Sequence, residues 1–268
     1  MPWLKLNLIS MSSNISPKSL VSPGAQLAAN VTIGPFAIIG EHAKIGPNTV
    51  IDSFAQVLGY TQIGANCHIF PYAVIGNVPQ DLKYTGQKSF LIIGKNNCIR
   101  EFVTINPGTE ENSKTSVGDN NLIMAYSHIA HDCTVGSDNV FANAATLAGH
   151  VEIGDKVVIG GLVAIHQFCR LGDLSIIGGC SKVVQDIPPY SMSDGHPAKV
   201  CGLNLVGLRR GKLSAKTISN LKKAFKILFF ENHSFDNAKA LIAKNLPSQK
   251  EISYLIDFIS SSKRGVSK

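Results

Sequence analysis

The sequence lacks the cysteine spacing that marks disulfide frameworks and zinc-binding modules. Its six cysteines form no C-x-x-C pair, so we predict no structural metal and expect reduced thiols in a cytoplasmic protein. Long apolar runs are also missing: no stretch of about 18 uninterrupted apolar residues occurs, and no membrane-spanning helix is predicted. The N-terminal residues are interrupted by Lys5 and Asn7 and lack a cleavage site, so a signal peptide is not expected either.

Charged residues make up only 16% of the 268 positions, yet Lys and Arg outnumber Asp and Glu by 25 to 18. The resulting net charge of +7 favours an acidic partner: nucleic acid, a membrane surface, or a small acidic protein that carries substrate. Charge alone does not choose among these three. Apolar residues account for 44% of the chain, which is enough for a sizeable core and excludes a disordered tail.

An apolar residue recurs at every sixth position from Val21 to Val183, and the phase of this repeat never changes. Of the 28 positions in phase, only Asp81, Gln87 and Glu111 are not apolar. A period of six fits neither a helix nor an isolated strand, but it fits a triangular coil of three short strands. Glycine often follows the inward residue, where we expect tight corners with unusual dihedral angles. The position two before the inward residue is often occupied by a small residue. Three of the cysteines lie at such positions, so we expect them inside the coil, where they serve packing.

This repeat resembles that of the hexapeptide-repeat family, whose members form a left-handed parallel β-helix and are usually trimers. Coils of this kind stack roughly 4.8 Å apart, so residues one full coil of 18 apart become vertical neighbours. Two segments, 77–92 and 107–116, interrupt the repeat without shifting its phase, and we expect them to be projecting loops. A structural solenoid without enzymatic activity stays an alternative on the repeat alone.

After residue 189 the repeat ends and apolar residues recur at helical spacing. Ser214 and Ser234 are predicted to cap two of these helices at their N-termini. The predicted organisation is an N-terminal extension over 1–14, with a second candidate start at Met11, then a β-helix over 15–189 and a C-terminal helical domain over 190–268.

Four of the eight histidines fall in one 39-residue window: His128, His131, His150 and His166. Stacking one coil apart puts His131 next to Gly149 and Asp132 next to His150, so these groups are expected at one edge of the coil. Neutral histidine, with an ordinary pKa of about 6.5, can act as a general base when a hydroxyl attacks a thioester. The N–H of an unhindered glycine can then stabilise the oxyanion that forms.

Two other interpretations of this cluster stay open. Each histidine taken alone could be a hydrogen-bonded structural residue. Some β-helices of this kind bind zinc through three histidines and act as carbonic anhydrases. Two of those ligands are two coils apart, whereas no two of these four histidines are separated by 36 residues.

Five longer segments resemble the UDP-N-acetylglucosamine O-acyltransferase family in particular, and the resemblance covers nearly the whole chain from Asn14. They are QDLKY at 80–84, HIAHDCTVG at 128–136, ATLAGHV at 145–151, HQFC at 166–169 and GGCSKVVQDIPPY at 178–190. The resemblance implies transfer of an (R)-3-hydroxyacyl group from acyl carrier protein to the 3-hydroxyl of UDP-N-acetylglucosamine, the first step of lipid A biosynthesis. It also implies a cytoplasmic homotrimer that uses no cofactor or metal and binds no nucleic acid.

By the same resemblance, His131 is the general base, Asp132 orients it, and Gly149 donates to the oxyanion. Adjacent side chains diverge in a flat strand, so the role of Asp132 requires a corner at this pair. Gly179 matches a position where a bulky residue shortens the acyl groove, and its missing side chain implies a long acyl group. The residues implied to contact substrate are Gln80, Asp81, Lys83, His128, His150, His166, Gln167, Gly179, Asn204 and Arg210.

Lys83 and Arg210 are the expected partners of the nucleotide phosphates. The chain departs from the family at Pro197, Val206 and Gly211, where relatives often carry polar residues or a second arginine. These departures leave the catalytic residues intact but change the expected contacts to UDP. A 3-amino sugar stays an alternative acceptor to the 3-hydroxyl sugar.

Overall fold

The computed structural model of the protein describes residues 14–268. The predictions made for the N-terminal extension, the missing signal peptide and a start at Met11 therefore lie outside the described residues, apart from Asn14 itself. Within residues 14–268, no helix is both long enough and apolar enough to cross a membrane.

The chain from Asn14 to Leu203 forms short strands, most of them two residues long. In chain order they are β1 (Asn14–Ile15), β2 (Leu20–Val21), β3 (Gln26–Leu27), β4 (Thr32–Ile33), β5 (Ile38–Ile39), β6 (Lys44–Ile45), β7 (Val50–Ile51), β8 (Gln56–Val57), β9 (Tyr60–Ile63), β10 (His68–Ile69), β11 (Val74–Ile75), β12 (Phe90–Ile93), β13 (Cys98–Ile99), β14 (Thr104–Ile105), β15 (Lys114–Val117), β16 (Leu122–Ile123), β17 (His128–Ile129), β18 (Thr134–Val135), β19 (Val140–Phe141), β20 (Thr146–Leu147), β21 (Glu152–Ile153), β22 (Val158–Ile159), β23 (Ala164–Ile165), β24 (Arg170–Leu171), β25 (Ile176–Ile177), β26 (Lys182–Val183), β27 (Ser191–Gly195) and β28 (Ala198–Leu203). Strands β12 and β15 begin inside the segments predicted to be loops.

These strands build three sheets. The first sheet has the order β1-β4-β7-β10-β13-β16-β19-β22-β25-β27-β28, the second β2-β5-β8-β11-β14-β17-β20-β23-β26, and the third β3-β6-β9-β12-β15-β18-β21-β24. Neighbouring strands are parallel, except that β27 and β28 form an antiparallel hairpin at the end of the first sheet. Thr32 pairs with Val50, one coil of 18 residues later. His68 pairs with Cys98 across the first loop, so the stacking continues past the insertion.

The repeating apolar residues point into the coil as predicted, and Ile39, Ile69 and Ile129 are fully buried. The expectation for the glycines was wrong. Apart from Gly76, the glycines that follow inward residues do not have a left-handed backbone conformation. The left-handed residues lie two positions after the glycine position and are mostly other residue types, such as His150 with a φ of 58°. Glycine is needed for space instead, because neighbouring coils approach closely at this position.

The prism has three edges, where the chain turns from one sheet to the next. We call them the aromatic edge, between the first and second sheets, the histidine edge, between the second and third, and the asparagine edge, between the third and first. Left-handed residues occupy these edges: Phe36, Phe54, Tyr72, Phe102 and Tyr126 at the aromatic edge, Asp132, His150 and Phe168 at the histidine edge, and Asn30, Asn48, Asn66, Asn96 and Asn120 at the asparagine edge.

Like side chains stack along two of these edges because coils are separated by the spacing of paired strands, about 4.7–4.9 Å. The ring centroids of Phe102 and Tyr126 are 4.9 Å apart, and the ring planes differ by 1°. At the asparagine edge, Nδ2 of Asn30 donates to Oδ1 of Asn48 at 3.1 Å, and the next coils repeat this bond. Such ladders stabilise a left-handed conformation that is otherwise costly for residues other than glycine.

The described residues after the coil form four α-helices: α1 (Leu205–Arg210), α2 (Ala215–Phe225), α3 (Phe235–Asn245) and α4 (Lys250–Ser260), with a π-helical stretch at Lys226–Phe230. Both predicted N-caps are confirmed, because Ser214 accepts a hydrogen bond from the N–H of Thr217 and Ser234 from that of Asn237. The sequence analysis missed α1 and the β27–β28 hairpin, since neither carries the six-residue repeat or a long amphipathic stripe.

Arg170 ties the helices to the end of the coil. Its Nη2 donates to the carbonyl of Phe258 in α4 at 2.8 Å, and its Nε donates to the carboxylate of Asp186 at 3.0 Å. The helices themselves pack around a buried apolar cluster that includes Leu221 and Leu255. The C-terminal segment is thereby held against the last coils.

Three cysteines lie inside the coil, as predicted: Cys67, Cys133 and Cys169. Burial raises the pKa of the Cys133 thiol to about 12 and the pKa values of the Cys67 and Cys169 thiols to about 11. These thiols stay protonated at neutral pH, so they serve packing and are poor nucleophiles.

We expect Gly64→Ala to destabilise the protein by about 1–3 kcal/mol, because overpacking forces the backbone to shift. The added methyl carbon would lie 2.6 Å from the carbonyl carbon of Gly94 and 2.8 Å from the nitrogen of Lys95. Gly40→Ala is the matched control, since its methyl carbon would come no closer than 3.3 Å, to Cα of Leu58. Denaturant unfolding followed by circular dichroism measures both, and equal losses would contradict the space argument.

Candidate active site

His131 and Asp132 follow β17 at the histidine edge, where the chain turns from the second sheet to the third. Asp132 has a left-handed conformation, with a φ of 58°, and its Oδ2 lies 2.9 Å from Nδ1 of His131. This is the corner that the sequence analysis required. His131 is only 7% exposed, and its other ring nitrogen, Nε2, lies 3.7 Å from a carboxylate oxygen of Asp81.

The second loop also holds Asp132. Oγ1 of Thr109 donates to Oδ2 of Asp132 at 2.6 Å, and the N–H of Thr109 donates to Oδ1 at 3.3 Å. Burial by itself raises the pKa of Asp132, but hydrogen bonds from Thr109, His131 and Ser113 outweigh burial and hold that pKa below its usual value. Asp132 is therefore ionised at neutral pH and can stabilise a protonated imidazole beside it.

Gly149 lies beside His131 in the next coil, where a side chain would not fit. A side-chain carbon on Gly149 would lie 2.6 Å from Nε2 of His131. No carbonyl of residues 14–268 accepts a hydrogen bond from the Gly149 N–H. The coil does not need this donor, because proline occupies the equivalent position in other coils, at Pro35, Pro47 and Pro71. The peptide of Gly149, whose N–H has no carbonyl partner within residues 14–268, therefore lies beside the imidazole of His131.

His150 completes the tight part of the cluster. Its Nε2 lies 3.8 Å from Oδ2 of Asp132, and its ring packs edge to face against that of His131 at 5.2 Å between centroids. The other face of the His150 ring stacks on Phe168 at 4.8 Å. Phe168 was not among the predicted site residues, although it lies one coil beyond His150.

The remaining predicted residues of the coil flank this cluster. Nδ1 of His128 lies 2.7 Å from Oγ1 of Thr104 in the preceding coil. Burial, and then the neighbouring His131, lower the pKa of His128, so that its ring is neutral at pH 7. His166 is exposed, and its Nδ1 lies 3.2 Å from the main-chain oxygen of the half-buried Gln167.

The first loop contributes Asp81 to the cluster. The side chains of Gln80 and Lys83 on either side are exposed. Oδ1 of Asp81 accepts a hydrogen bond from the N–H of Lys83 at 2.9 Å, which orients the carboxylate within the loop. The structure thus brings Asp81 to His131 and leaves Gln80 and Lys83 at the surface of the loop.

Asn204 and Arg210 lie elsewhere, at the asparagine edge. Asn204 is the N-cap of α1: its Oδ1 accepts from the N–H of Gly207 and its Nδ2 donates to the carbonyl of Leu174, both at 2.9 Å. Arg210 is exposed and lines, together with Asn204, a cleft of about 580 Å³. None of the residues that line this cleft belongs to the cluster of His131, Asp132 and His150. A single chain does not bring these two residues to His131.

The family departures also fall away from the histidine cluster. Val206 and Gly211 line the cleft of Asn204 and Arg210. Pro197 is exposed, in the turn between β27 and β28.

Gly179 lies at the aromatic edge, after β25. A side-chain carbon there would come no closer than 3.3 Å to any other residue, at the carbonyl oxygen of Gly161. A side chain at this position therefore requires the Gly161 backbone to shift by a few tenths of an ångström, but it displaces no other side chain.

A cleft of about 610 Å³ opens beside Asp132 and His150. Two cationic residues of the C-terminal segment, Lys263 and Arg264, line it, and the guanidinium of Arg264 donates to the carbonyl of Val184 at 3.1 Å. Neither residue was predicted to belong to the site. Their basic side chains are the only signal in the sequence, and nothing local indicates that this segment returns to the coil.

His131, Asp132 and His150 are also the three residues within 14–268 whose side chains could together hold a metal ion, since their ligand atoms lie within 4.8 Å of one another. Zinc accepts such donors. Here, however, Oδ2 of Asp132 already accepts from Thr109 and faces Nδ1 of His131. Nδ1 of His131 and Oδ2 of Asp132 are thus paired with each other, an arrangement that suits acid–base chemistry.

Two family models match the chain. The model described as bacterial transferase hexapeptide (six repeats) matches residues 42–77 and 114–149. The model described as UDP-N-acetylglucosamine O-acyltransferase, domain 2, matches residues 186–267. Both halves of the molecule, the coil and the helices, are thus matched separately.

Relatives match over the full length. The acyl-[acyl-carrier-protein]–UDP-N-acetylglucosamine O-acyltransferase of Thermodesulfovibrio yellowstonii is 48% identical over 95% of this chain and 99% of its own. The crystal structure of UDP-N-acetylglucosamine O-acyltransferase from Moraxella catarrhalis superposes with a TM-score of 0.91 at 42% identity, over 95% of this chain and 99% of that chain. The enzyme from Campylobacter jejuni gives 0.88 at 43% identity, with the same coverage.

These matches confirm the predicted fold class, a left-handed parallel β-helix followed by C-terminal helices. The motifs QDLKY, HIAHDCTVG and HQFC, on which the predicted family resemblance rests, lie on the first loop and at the histidine edge. The chain belongs to the UDP-N-acetylglucosamine O-acyltransferase family.

Proposed function

We propose that this protein transfers an (R)-3-hydroxyacyl group from acyl carrier protein to the 3-hydroxyl of UDP-N-acetylglucosamine, the first step of lipid A biosynthesis. Family membership supports the reaction. The observation that carries it is the pairing of His131 with an ionised Asp132, beside the free N–H of Gly149. General-base transfer from a thioester requires neither a metal nor a redox cofactor.

In the proposed mechanism His131 is the general base. Its Nε2 takes the proton of the sugar 3-hydroxyl while that oxygen attacks the thioester carbonyl carbon, and Asp132 stabilises the imidazolium that forms. Gly149 donates its N–H to the oxyanion of the tetrahedral intermediate. The carbon–sulfur bond then breaks, and the leaving thiolate takes the proton back from the imidazolium.

Substrate binding is proposed for the residues around this base. Asp81, His128 and His150 lie nearest to it, and His166 and Gln167 extend the same edge. Gln80 and Lys83 project from the first loop, where Lys83 suits a phosphate group. Asn204 and Arg210 complete the set, with Arg210 as a second phosphate partner.

A homotrimer would bring the two parts of the site together. The outward side chains of the first sheet are largely apolar, as are several of the second, whereas those of the third sheet are mostly polar. Outward apolar residues are Val50, Cys98, Leu122, Val140, Val158 and Ile176 on the first sheet and Leu20, Ile38, Val74 and Ala164 on the second, but only Ile92 and Phe90, the latter next to the ring of Tyr60, on the third. Apolar faces on two adjacent sheets of a prism support contacts with two neighbouring copies.

The aromatic edge lies between these two apolar faces and would point to the threefold axis. Its stacked rings are exposed, by 42% at Phe54 and 62% at Tyr126. Packing the first sheet of one copy on the second sheet of the next would place the asparagine edge of one beside the histidine edge of the other. Asn204 and Arg210 of one copy would then face His131 of its neighbour.

The charge distribution supports an acidic carrier protein as acyl donor. Residues 205–230 contain seven basic side chains and no acidic one, and the basic residues Arg209, Lys216 and Lys222 among them are exposed on α1 and α2. A surface of this kind attracts an acidic protein. The unpaired state of all six cysteines fits a reducing compartment, and we place the reaction in the cytoplasm.

We expect His131→Ala to lower turnover by about 10²–10⁴-fold, the usual contribution of a general base. The assay uses purified protein, UDP-N-acetylglucosamine and a panel of 3-hydroxyacyl carrier proteins, which also reports the preferred acyl length. Circular dichroism and oligomeric state verify that the variant is folded. Normal turnover by this variant would overturn the role of His131.

A chelator separates this reaction from the carbonic anhydrase alternative. Acyl transfer by the wild-type protein should be unchanged after treatment with EDTA, because no step uses a metal. Loss of transfer on chelation, with recovery on zinc addition, would instead support a metal bound by His131, Asp132 and His150.

We expect Gly179→Met to shift the preference toward shorter acyl chains without unfolding the protein, since an added side-chain carbon would crowd only the Gly161 backbone, at 3.3 Å. The measurement is kcat/KM across the acyl carrier protein panel. An unchanged profile would show that the acyl groove is closed by other residues.

For the oligomer, Phe54→Glu should dissociate the trimer and lower transfer activity with it, because a charge would be buried at the axis without a partner. Gln62→Glu on the exposed outer face of the third sheet is the control and should stay trimeric. Size-exclusion chromatography with light scattering gives the mass of each. A Phe54→Glu trimer would contradict the proposed arrangement.

A further inference from the structure

The second loop contacts the histidine edge through a residue, Thr109, that lies in none of the family motifs. Thr109 reaches Asp132 from outside the coil and bonds both oxygens of its carboxylate, Oδ2 through the hydroxyl at 2.6 Å and Oδ1 through the backbone N–H at 3.3 Å. Oδ2 is the oxygen that faces Nδ1 of His131 at 2.9 Å. With both oxygens bonded, the carboxylate cannot rotate away from the imidazole.

Thr109 can hold this position because its loop is itself fixed. The Oγ of Ser113 accepts from the N–H of Glu110 at 2.9 Å, closing the loop on itself. The N–H of Asn112 donates to the carbonyl of Lys88 at 2.7 Å, which joins the second loop to the end of the first. Thr109 is therefore presented to Asp132 from a preorganised segment, and little conformational entropy is lost when it bonds.

The left-handed turn at Asp132 is not sufficient to orient the pair. His150 has the same conformation one coil later, with a φ of 58°, but its ring stacks outward on Phe168 instead of folding back on Gly149. The position of the Asp132 side chain is thus decided by its partners. These partners are the base itself, Ser113 and Thr109, and Thr109 is the one that bonds both carboxylate oxygens.

We propose that Thr109 is a positioning residue for acyl transfer, acting through Asp132 on His131; this inference rests on the proposed function. By holding Oδ2 against Nδ1, Thr109 keeps the proton of the neutral imidazole on Nδ1 and leaves Nε2 free to take the proton of the sugar hydroxyl. The low pKa of Asp132, to which Thr109 contributes, keeps the carboxylate charged when the imidazolium forms. Thr109 itself does not need to touch substrate.

The test is Thr109→Val, which removes the hydroxyl and keeps the shape. We expect kcat to fall by roughly 10- to 100-fold, the effect of misplacing a catalytic group by a fraction of its working distance. KM for UDP-N-acetylglucosamine should change little, because Thr109 acts on the base. Thr109→Ser restores a hydroxyl at the same carbon and should recover most of the lost kcat.

Thr115→Val is the matched control. Thr115 lies six residues further along, in β15, is fully buried, and has a hydroxyl without a hydrogen-bond partner in the described part of the chain. Loss of this hydroxyl should leave both kcat and KM unchanged. Thermal unfolding and mass measurements on each variant verify that the assembly is intact.

A double-mutant cycle separates positioning from a general structural role. If Thr109 acts through Asp132, then Thr109→Val should cause no further loss in an Asp132→Ala background. The same loss in both backgrounds, or a kcat for Thr109→Val equal to that of the wild type, would overturn the proposal. Failure of the proposed function looks different, since the wild-type protein would then show no acyl transfer at all.

Discussion

Backbone hydrogen bonding between successive coils is the constraint on which the rest of this structure depends. Parallel strands only two residues long are paired from one coil to the next, so the chain must turn through a left-handed residue between almost every pair of strands. Where the residue after an inward side chain is glycine, the space left between coils is often too small for a side chain, as at Gly64. The ladders of aromatic rings and asparagine amides are consequences of the same spacing.

The arrangement of side chains at the histidine edge follows from this constraint. The left-handed corner at Asp132 allows its carboxylate to face His131, and the close approach of the next coil brings Gly149 to the same imidazole. The rigid coil thus holds the imidazole of His131, the carboxylate of Asp132 and the peptide of Gly149 in fixed positions, as the proposed mechanism requires. The loops add what the coil cannot, namely Asp81 on one side of the imidazole and Thr109 behind Asp132.

Much of the fold and part of the site could be predicted, for physical reasons that differ from element to element. The six-residue repeat indicated the coil because inward side chains must be apolar once per sheet, and the 18-residue period then placed His131 against Gly149. Backbone conformation was predicted wrongly: the left-handed strain lies on residues such as Phe54 and His150, not on the glycines. Thr109, Lys263 and Arg264 were missed because loop and tail contacts have no period.

The sequence by itself determined the coil, its register and the edge that carries the histidines, because these follow from local repetition propagated by strand pairing. Only the tertiary structure decided how Asp132 is held, since that depends on a loop 23 residues away in sequence. It also decided that Asn204 and Arg210 lie in a separate cleft at another edge of the prism. Contacts between elements that share no repeat depend on how those elements pack, and the spacing of residues along the chain does not determine that packing.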